Sequence, residues 1–439
     1  MTPADQTGDG AFDALVEKLS RRERFRRSLL GRIVRRLRPG RDESSAPGAA
    51  RQRFLSREES LRRAAIPSAV SGPVPYSLVA FPAIEWTFRY QRPQQLLSRF
   101  ARDGHRVFYV SPRFRPRGEP WELTPRAENV FEVSLRAPRR NVYRDEPGPA
   151  ATGSVLASLD RFRRDLSLSS AAALVQLPFW GPIARRAARD AAWPLVYDCI
   201  DLHGGFSTNV AAMVDHERAL LEGADLVTAT SEALRVRAAK LNPRVRIVRN
   251  AADFERFASA PHIRRARPVV GYHGAIADWF DVPLVEEIAR RCPDIDFLLV
   301  GSTYGADVRR LGSLENVRCV GERPYSEIPG WVGRFDVAII PFRRTDLTEA
   351  TNPVKAYEVF ASGSPLVSVP LPELETFEGL VRFASDASGF EKEIRAALAE
   401  APGGTDARRE FARRHTWAAR HREMASSIDA LFAPGPGSR

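Results

Sequence analysis

The stretch Thr351–Val367, TNPVKAYEVFASGSPLV, sets a lysine and a glutamate, Lys355 and Glu358, three residues apart. At helical spacing two such side chains share one face. Lysine is scarce here: only Lys18, Lys240, Lys355 and Lys392 stand among 66 basic residues, so arginine is the default cation. A compact ammonium beside a helix start suits an anionic oxygen such as a diphosphate. A carboxylate one turn on accepts hydrogen bonds from sugar hydroxyls. The competing account is a surface ion pair worth roughly a few tenths of a kcal/mol. The surroundings of the pair decide between the two.

A second group of candidates lies in YDCIDLHGGF, where Asp198, Asp201 and His203 sit just past a strand end. Loop ends over a rigid scaffold carry function, and Asp201 or His203 in such a place can orient or deprotonate a hydroxyl. The alternative has Asp198 capping a turn and His203 as a loop residue. Trp86, Arg89, Gln91 and Arg92 precede a helix. They either face an acceptor or serve as packing, cap and surface charge. His105 reads as structural, and His273, next to Gly274, as a site candidate. No cluster of His, Asp and Glu has metal-ligand spacing, so neither a metal nor a cofactor is expected. Cys199, Cys292 and Cys319 are far apart in apolar settings and read as buried free thiols of a reducing cytosol.

These residues need elements to hold them. From Tyr76 onward, YSLVAF, QRPQQLLSRFARDGH and RVFYVS read as strand, helix and strand, with Pro93 near the helix start and Gly104 past its end. That is a βαβ unit, which favours a parallel sheet. AALVQLP, PLVYDCID, DLVTATS and RVRIVRN continue the series. Between Pro112 and Ala172 the chain is rich in Pro and Arg and shows no clear pattern. A second series begins with PVVGYHG, followed by helix DVPLVEEIARRCPD and strands IDFLLVGS, NVRCVGE, DVAIIPF and SPLVSVP. Lys355 and Glu358 fall on the helix between the last two strands. Its N-terminus then faces the carboxyl ends of the strands, where open α/β sheets bind ligands.

The expected fold is therefore α/β, with two doubly wound Rossmann-like domains facing a cleft. The expected boundaries are 1–75 for a basic extension and linker, 76–255 for an acceptor domain, 266–405 for a donor domain and 406–439 for a helical tail. The pattern breaks near AADFERFASAPHIRRARP, between Asn250 and Pro268. A chain of 439 residues exceeds one core.

Charge is unevenly spread. Residues 1–75 hold 16 Lys+Arg against 9 Asp+Glu, a balance of 16 − 9 = +7 out of +12 for the chain. A mildly basic remainder argues against nucleic acid as a partner. Within the extension, FRRSLLGRIVRRLRPGR sets Phe25, Leu29, Leu30, Ile33, Val34 and Leu37 on one side at helical spacing. This pattern fits a peripheral helix on an anionic membrane surface; a disordered arginine-rich tail and a helix packed on the body are the alternatives. No stretch has the length and apolarity of a membrane span, and the first residues lack a secretory pattern. The expected location is cytoplasmic, peripheral on the inner membrane face if the helix binds lipid.

Taken together these segments resemble the nucleotide-sugar glycosyltransferases of GT-B architecture, in the broad retaining class grouped as family four or family one. The resemblance runs from about Tyr76 to Leu431. RYQRPQQLLSRFARDGHRVFYVSP, YDCIDLHGGF with HERALLEGADLVTATSEAL, RNAADFERF, GYHGAIADWFD, DVAIIPF and NPVKAYEVFASGSPLV carry it, in order. It implies that Lys355 contacts the donor diphosphate, with backbone N–H groups near Asn352 and Pro353. It implies that Glu358 binds the ribose and that Gly274 lets the donor approach the backbone. Gly301, Ser302, Arg323 and Pro324 would frame the base, and Asn250 and Asp253 would fix the hinge. The chain departs from the pattern in two places. Where many relatives carry a carboxylate, eight residues before the glutamate, stands Ala350, leaving Thr351 and Asn352 to contact the sugar. The loop Ala275–Trp279 lacks the usual cations, which passes their task to Lys355, helix N-termini and Arg249.

The implied activity is a retaining, metal-independent hexosyl transfer from a nucleotide-diphosphate sugar to a growing, lipid-linked glycan of cell-surface polysaccharide. A catalytically silent GT-B subunit and a nucleotide-sugar epimerase are the rivals. A dinucleotide oxidoreductase ranks lower, since no GxGxxG follows the first strand.

Overall fold

The structure, a computed structural model, describes residues 59, 76–207, 209–263, 265–303, 305–400 and 403–433. The basic amphipathic stretch Phe25–Leu37 lies outside the described residues. The chain divides into two compact units. The N-terminal unit comprises 76–251, Glu349–Pro353 and 415–433; the C-terminal unit comprises Ala252–Thr348 and Val354–Arg414. The stretch 406–439, read from the sequence as one tail, is thus shared between them.

In the N-terminal unit the strands are β1 (Ser77–Phe81), β2 (Val107–Val110), β3 (Trp121–Ala127), β4 (Val130–Leu135), β5 (Ala171–Val175), β6 (Leu195–Cys199), β7 (Leu226–Ala229) and β8 (Val245–Ile247). They form one sheet in the order β3-β4-β2-β1-β5-β6-β7-β8. All its pairings are parallel except β3 with β4. The central strands are apolar runs without alternation because both faces are covered; β1, β2 and β5 are buried at every residue. Helix Arg92–Arg102 packs against the last helix, Trp417–Asp429. Tyr76 pins that helix by donating to Asp429 at 2.6 Å and stacking on Phe432 with centroids 4.2 Å apart.

In the C-terminal unit the strands are β9 (Val269–His273), β10 (Asp296–Val300), β11 (Val317–Gly321), β12 (Val337–Ile340), β13 (Leu366–Ser368) and β14 (Val381–Phe383). Their order is β11-β10-β9-β12-β13-β14, all parallel. Helix Val354–Ser362 connects β12 to β13. Each unit therefore has its own parallel sheet, and each presents loops at the carboxyl ends of its strands. No helix among the described residues is long and apolar enough to cross a membrane.

Candidate functional site

At the carboxyl edge of the C-terminal unit's sheet, three loops interlock. Gly274, directly after β9, donates to the Val300 carbonyl at 2.9 Å, and Ile276 donates to Ser302 at 2.7 Å. Phe280 forms a bridge with Phe342, and Arg343 donates to the Trp279 carbonyl at 2.8 Å. Gly274 has φ 125°, a region a side chain rarely adopts. A Cβ there would lie 3.0 Å from Lys355 Cε, and one on Gly301 would lie 1.7 Å from the Gly274 carbonyl oxygen. Both glycines are thus required by close packing of the loops beside Lys355.

Lys355, in the first turn of its helix, is half-buried. Its Nζ lies 4.7 Å from the Phe342 ring centroid and 5.5 Å from that of Tyr272. It has neither ion pair nor hydrogen bond among the described residues. Burial pushes its pKa down to about 8, opposed by the charge of Glu358. An ammonium that leans on two aromatic faces without a carboxylate in contact is poised for an external anion.

Glu358 does not pair with Lys355 directly. Its Oε2 accepts from, or shares a proton with, His273 Nε2 at 2.8 Å, with both side chains under one-tenth exposed. Tyr325 also donates to this carboxylate; burial first, and then Glu358, push its phenol far up, so it stays a neutral donor. A carboxylate has about four acceptor sites, so two remain for ligand hydroxyls. Arg323 instead folds onto its own strand, donating to the Val320 carbonyl at 2.7 Å, and Pro324 is exposed.

The N-terminal unit contains the remaining candidates, and there the structure corrects one expectation. Asp198, in β6, is fully buried and accepts four hydrogen bonds. These come from Arg92 Nε at 3.0 Å and Nη2 at 2.8 Å, from Gln176 Nε2 at 3.0 Å and from Thr228 Oγ1 at 2.8 Å. Its acceptor sites are filled, so it is an anchor and has no free lone pair for a substrate proton. Arg92 is equally committed: besides Asp198, its Nη1 donates to the Arg249 carbonyl at 3.2 Å and to Asn250 at 3.4 Å. Asn250 in turn donates through its main chain and side chain to Asn352, at 3.0 and 2.8 Å. Asn352 therefore spends its side-chain oxygen and its carbonyl within the unit. Ala350, beside it, is buried in the same unit's core, its carbonyl accepting from Ser231 at 2.6 Å. Apolar packing accounts for the missing carboxylate at that position.

The other expected residues fall into two groups. Gln91 caps its helix, its N–H donating to Gln94 at 3.1 Å. Trp86 packs edge-on against Tyr109 at 5.1 Å, and Arg89 lies over Phe88 at 4.6 Å. Asp253 pairs with Arg256 at 3.0 Å. Asp201 and His203, by contrast, stay with the carboxyl edge. Asp201 is half-buried, and burial pushes its carboxyl up to about 7 against the pull of Arg92. His203 is buried and pushed down to about 4, so its imidazole is neutral at pH 7. Sequence reasoning missed Phe342, Tyr325 and Gln176. An aromatic under a cation leaves no spacing signal, and the other two reach their partners from distant segments.

Comparison with known proteins adds the following. Residues 282–426 match a family model described as "Glycosyl transferase-like". The chain is 28% identical over 201 residues to TuaH of Bacillus subtilis (strain 168), a protein named as a glycosyltransferase of teichuronic acid biosynthesis. That match covers 40% of this chain and 51% of TuaH, so the chain spans about half the length of the curated relative it matches. Sucrose-phosphate synthase from Thermosynechococcus elongatus superposes with a TM-score of 0.66 at 16% identity, covering 81% of this chain and 99% of that one. Anabaena HepE, solved in complex with UDP and glucose, superposes with a TM-score of 0.57 at 15% identity, covering 81% of this chain and 100% of that one. At these identities the two structures establish the shared fold.

Proposed function

We propose that this chain, a GT-B glycosyltransferase by family and fold, moves a sugar from a nucleoside-diphosphate donor to a growing glycan. The observation that carries the proposal is the ammonium of Lys355, without an ion pair among the described residues and held over Phe342 and Tyr272 beside the glycine-lined loops after β9 and β10. The developing charge in such a transfer is on the departing diphosphate, and electrostatic stabilisation of that charge is the largest catalytic term. Lys355 supplies a positive charge, and the start of helix Val354–Ser362 adds the positive end of the helix dipole. Glu358, steadied by His273 and Tyr325, takes the ribose hydroxyls. Gly301, Ser302, Arg323 and Pro324 belong to loops that frame the base. These charges allow the leaving step without a metal, and the retaining outcome follows the class the sequence resembles.

On the acceptor side, Asp201 or His203 orients or deprotonates the hydroxyl. A polysaccharide acceptor accords with the name of TuaH, and the basic extension supports a lipid-linked acceptor at an anionic membrane face. The rival reading, a silent subunit, draws on Ala350. Incubation of the full chain with a panel of UDP-, GDP- and dTDP-sugars tests the proposal. The expected result is release of nucleoside diphosphate from one donor. Donor binding with no hydrolysis or transfer under any acceptor would favour the silent subunit.

A further inference from the structure

The Pro- and Arg-rich stretch after Pro112 takes no part in the donor or acceptor chemistry above, yet it builds a groove. The loops after β2 and β4 run side by side at the carboxyl edge of the N-terminal sheet, laced by their main chains. Arg115 donates to the Leu135 carbonyl at 3.0 Å, Ala137 to that of Arg115 at 2.9 Å and Arg136 to that of Pro120 at 2.9 Å. Ser158, in helix Gly148–Asp165, ties the helix to the same loop by donating to the Arg136 carbonyl at 2.8 Å. Between loops and helix lies an open groove of about 680 Å³, lined among others by Pro116, Pro120, Pro138, Arg136, Ser154 and Arg161. That volume is in the range of small-ligand sites, and the fixed φ of proline stiffens the walls.

The arginines of this region are of two kinds. Arg113 pairs with Glu85, Arg115 with Glu122 and Arg126 with Glu132. Arg117, Arg136 and Arg139 are exposed and have no carboxylate partner among the described residues. Arg136 lines the groove and donates only through Nη1, to the Gly118 carbonyl at 3.0 Å. Arg117 and Arg139 each follow directly on a lining proline. Arg161 is held by Asp165 at 2.9 Å. A smaller hollow of about 100 Å³ adjoins at Pro120 and Arg161 and brings in Glu119 and Asp165, so the cationic stretch ends there.

Guanidinium forks match the oxygens of carboxylates and phosphates. The Ser154 hydroxyl gives its hydrogen to the Ala150 carbonyl at 3.0 Å, which leaves its oxygen to accept from a ligand hydroxyl. None of the large exposed apolar side chains of the described residues lines the groove. A bilayer would engage such side chains, and the bases of a nucleic acid would need an aromatic platform. An acidic sugar needs neither. In the sheet order, β4 stands four steps from β6, whose loop carries Asp201 and His203. At about 4.8 Å per step the groove is about 19 Å away along the same edge. That separation suits a sugar already linked into the chain rather than the hydroxyl that reacts.

We infer that this groove is a remote acceptor subsite for an acidic sugar, carboxylated or phosphorylated, of the glycan being extended. The growing chain crosses the edge of the sheet with an acidic unit in the groove and its free end at Asp201 and His203. The inference rests on the glycosyltransferase reading above and specifies the chemistry of its acceptor.

Fluorescence anisotropy of the full chain with labelled oligogalacturonate, poly(glycerol phosphate) and a neutral maltooligosaccharide tests it. The two acidic polymers separate carboxylate from phosphodiester as the source of charge. UDP is the control for the other unit, and sedimentation with phosphatidylglycerol–phosphatidylcholine vesicles is the control for a lipid surface. At least one acidic polymer should bind, and the neutral oligomer should not. Arg136→Gln should weaken that binding about fivefold, and Arg136→Gln with Arg139→Gln about tenfold or more. UDP affinity should stay unchanged, since both side chains are exposed on the other unit. Equal affinity in the natural chain and the double variant would overturn the inference. So would failure of both acidic polymers to bind, or a neutral oligomer that binds as tightly. Vesicle binding that the double variant abolishes, with glycan binding unaffected, would assign the groove to an anionic membrane face instead. In each of these cases retained UDP binding leaves the glycosyltransferase reading standing. Failure of UDP to bind the natural chain would defeat that reading itself.

Discussion

The carboxyl edges of the two sheets are built on opposite principles. In the C-terminal unit the buried carboxylate, Glu358, keeps acceptor capacity, and the nearby cation, Lys355, has neither ion pair nor hydrogen bond among the described residues. In the N-terminal unit the buried carboxylate, Asp198, is saturated by four donors, and the nearby cation, Arg92, is committed to protein acceptors. One edge holds a charge in reserve; the other, around Asp198, has spent its charges on rigidity. Sequence position alone makes Asp198 and Glu358 look alike, since both lie at the carboxyl edge of a parallel sheet. What separates them is the count of donors already in place.

The sharpest way to break this contrast is Asp198→Ala. Removing one partner of a buried pair leaves Arg92 charged and uncompensated, with an expected loss of about 3–5 kcal/mol in denaturant unfolding. A variant of unchanged stability that had lost turnover would make Asp198 a catalytic group after all. Next in size is Gly301→Ala, whose added carbon has no room against the Gly274 carbonyl. Overpacking of this kind costs about 1–3 kcal/mol, and UDP affinity should fall with it. Gly204→Ala is the matched control, because its nearest neighbour, Val214, is an ordinary contact at 3.5 Å. It should stay within about 0.5 kcal/mol of the natural chain.

Acid–base behaviour distinguishes the edges as well. The Lys355 ammonium titrates near pH 8 in the free chain. An anion binds its charged form, so UDP affinity should hold below that pH and decline above it, by up to about tenfold per unit. Lys355→Arg should abolish the decline. On the acceptor side, Asp201 is deprotonated above about 7. If it acts as base, kcat/KM should rise through that pH and the limb should vanish in Asp201→Asn. A smaller effect on UDP binding is expected for Tyr325→Phe, which removes one donor from Glu358. A loss of about 0.5–1.5 kcal/mol in UDP binding corresponds to a few-fold change.

The strand–helix alternation was legible because buried parallel strands are continuous apolar runs and helix ends carry their own punctuation, as Pro93 and Gly104 do. The β3–β4 hairpin was not. Pro125 interrupts β3, which argues against a strand, yet β3 lies at the sheet edge, where proline is tolerated. Helix Gly148–Asp165 begins with GPAATG and hides behind residues that usually mark a loop. The site was legible where chemistry and spacing coincide on one element, as for Lys355 and Glu358. It was not legible where the decisive fact is a tally of distant partners. Asp198 is filled from β7, from the residue after β5 and from the helix after β1, so no local pattern reveals that it is unavailable.

The most direct measurement of the central claim is calorimetric titration of the full chain and of Lys355→Ala with UDP, GDP and dTDP. Loss of a charge-assisted contact predicts an affinity lower by about 10–100-fold for whichever nucleotide binds, with unfolding stability essentially unchanged. Equal affinity in the two proteins would contradict the account, because the unpaired ammonium would then have no part in holding the donor.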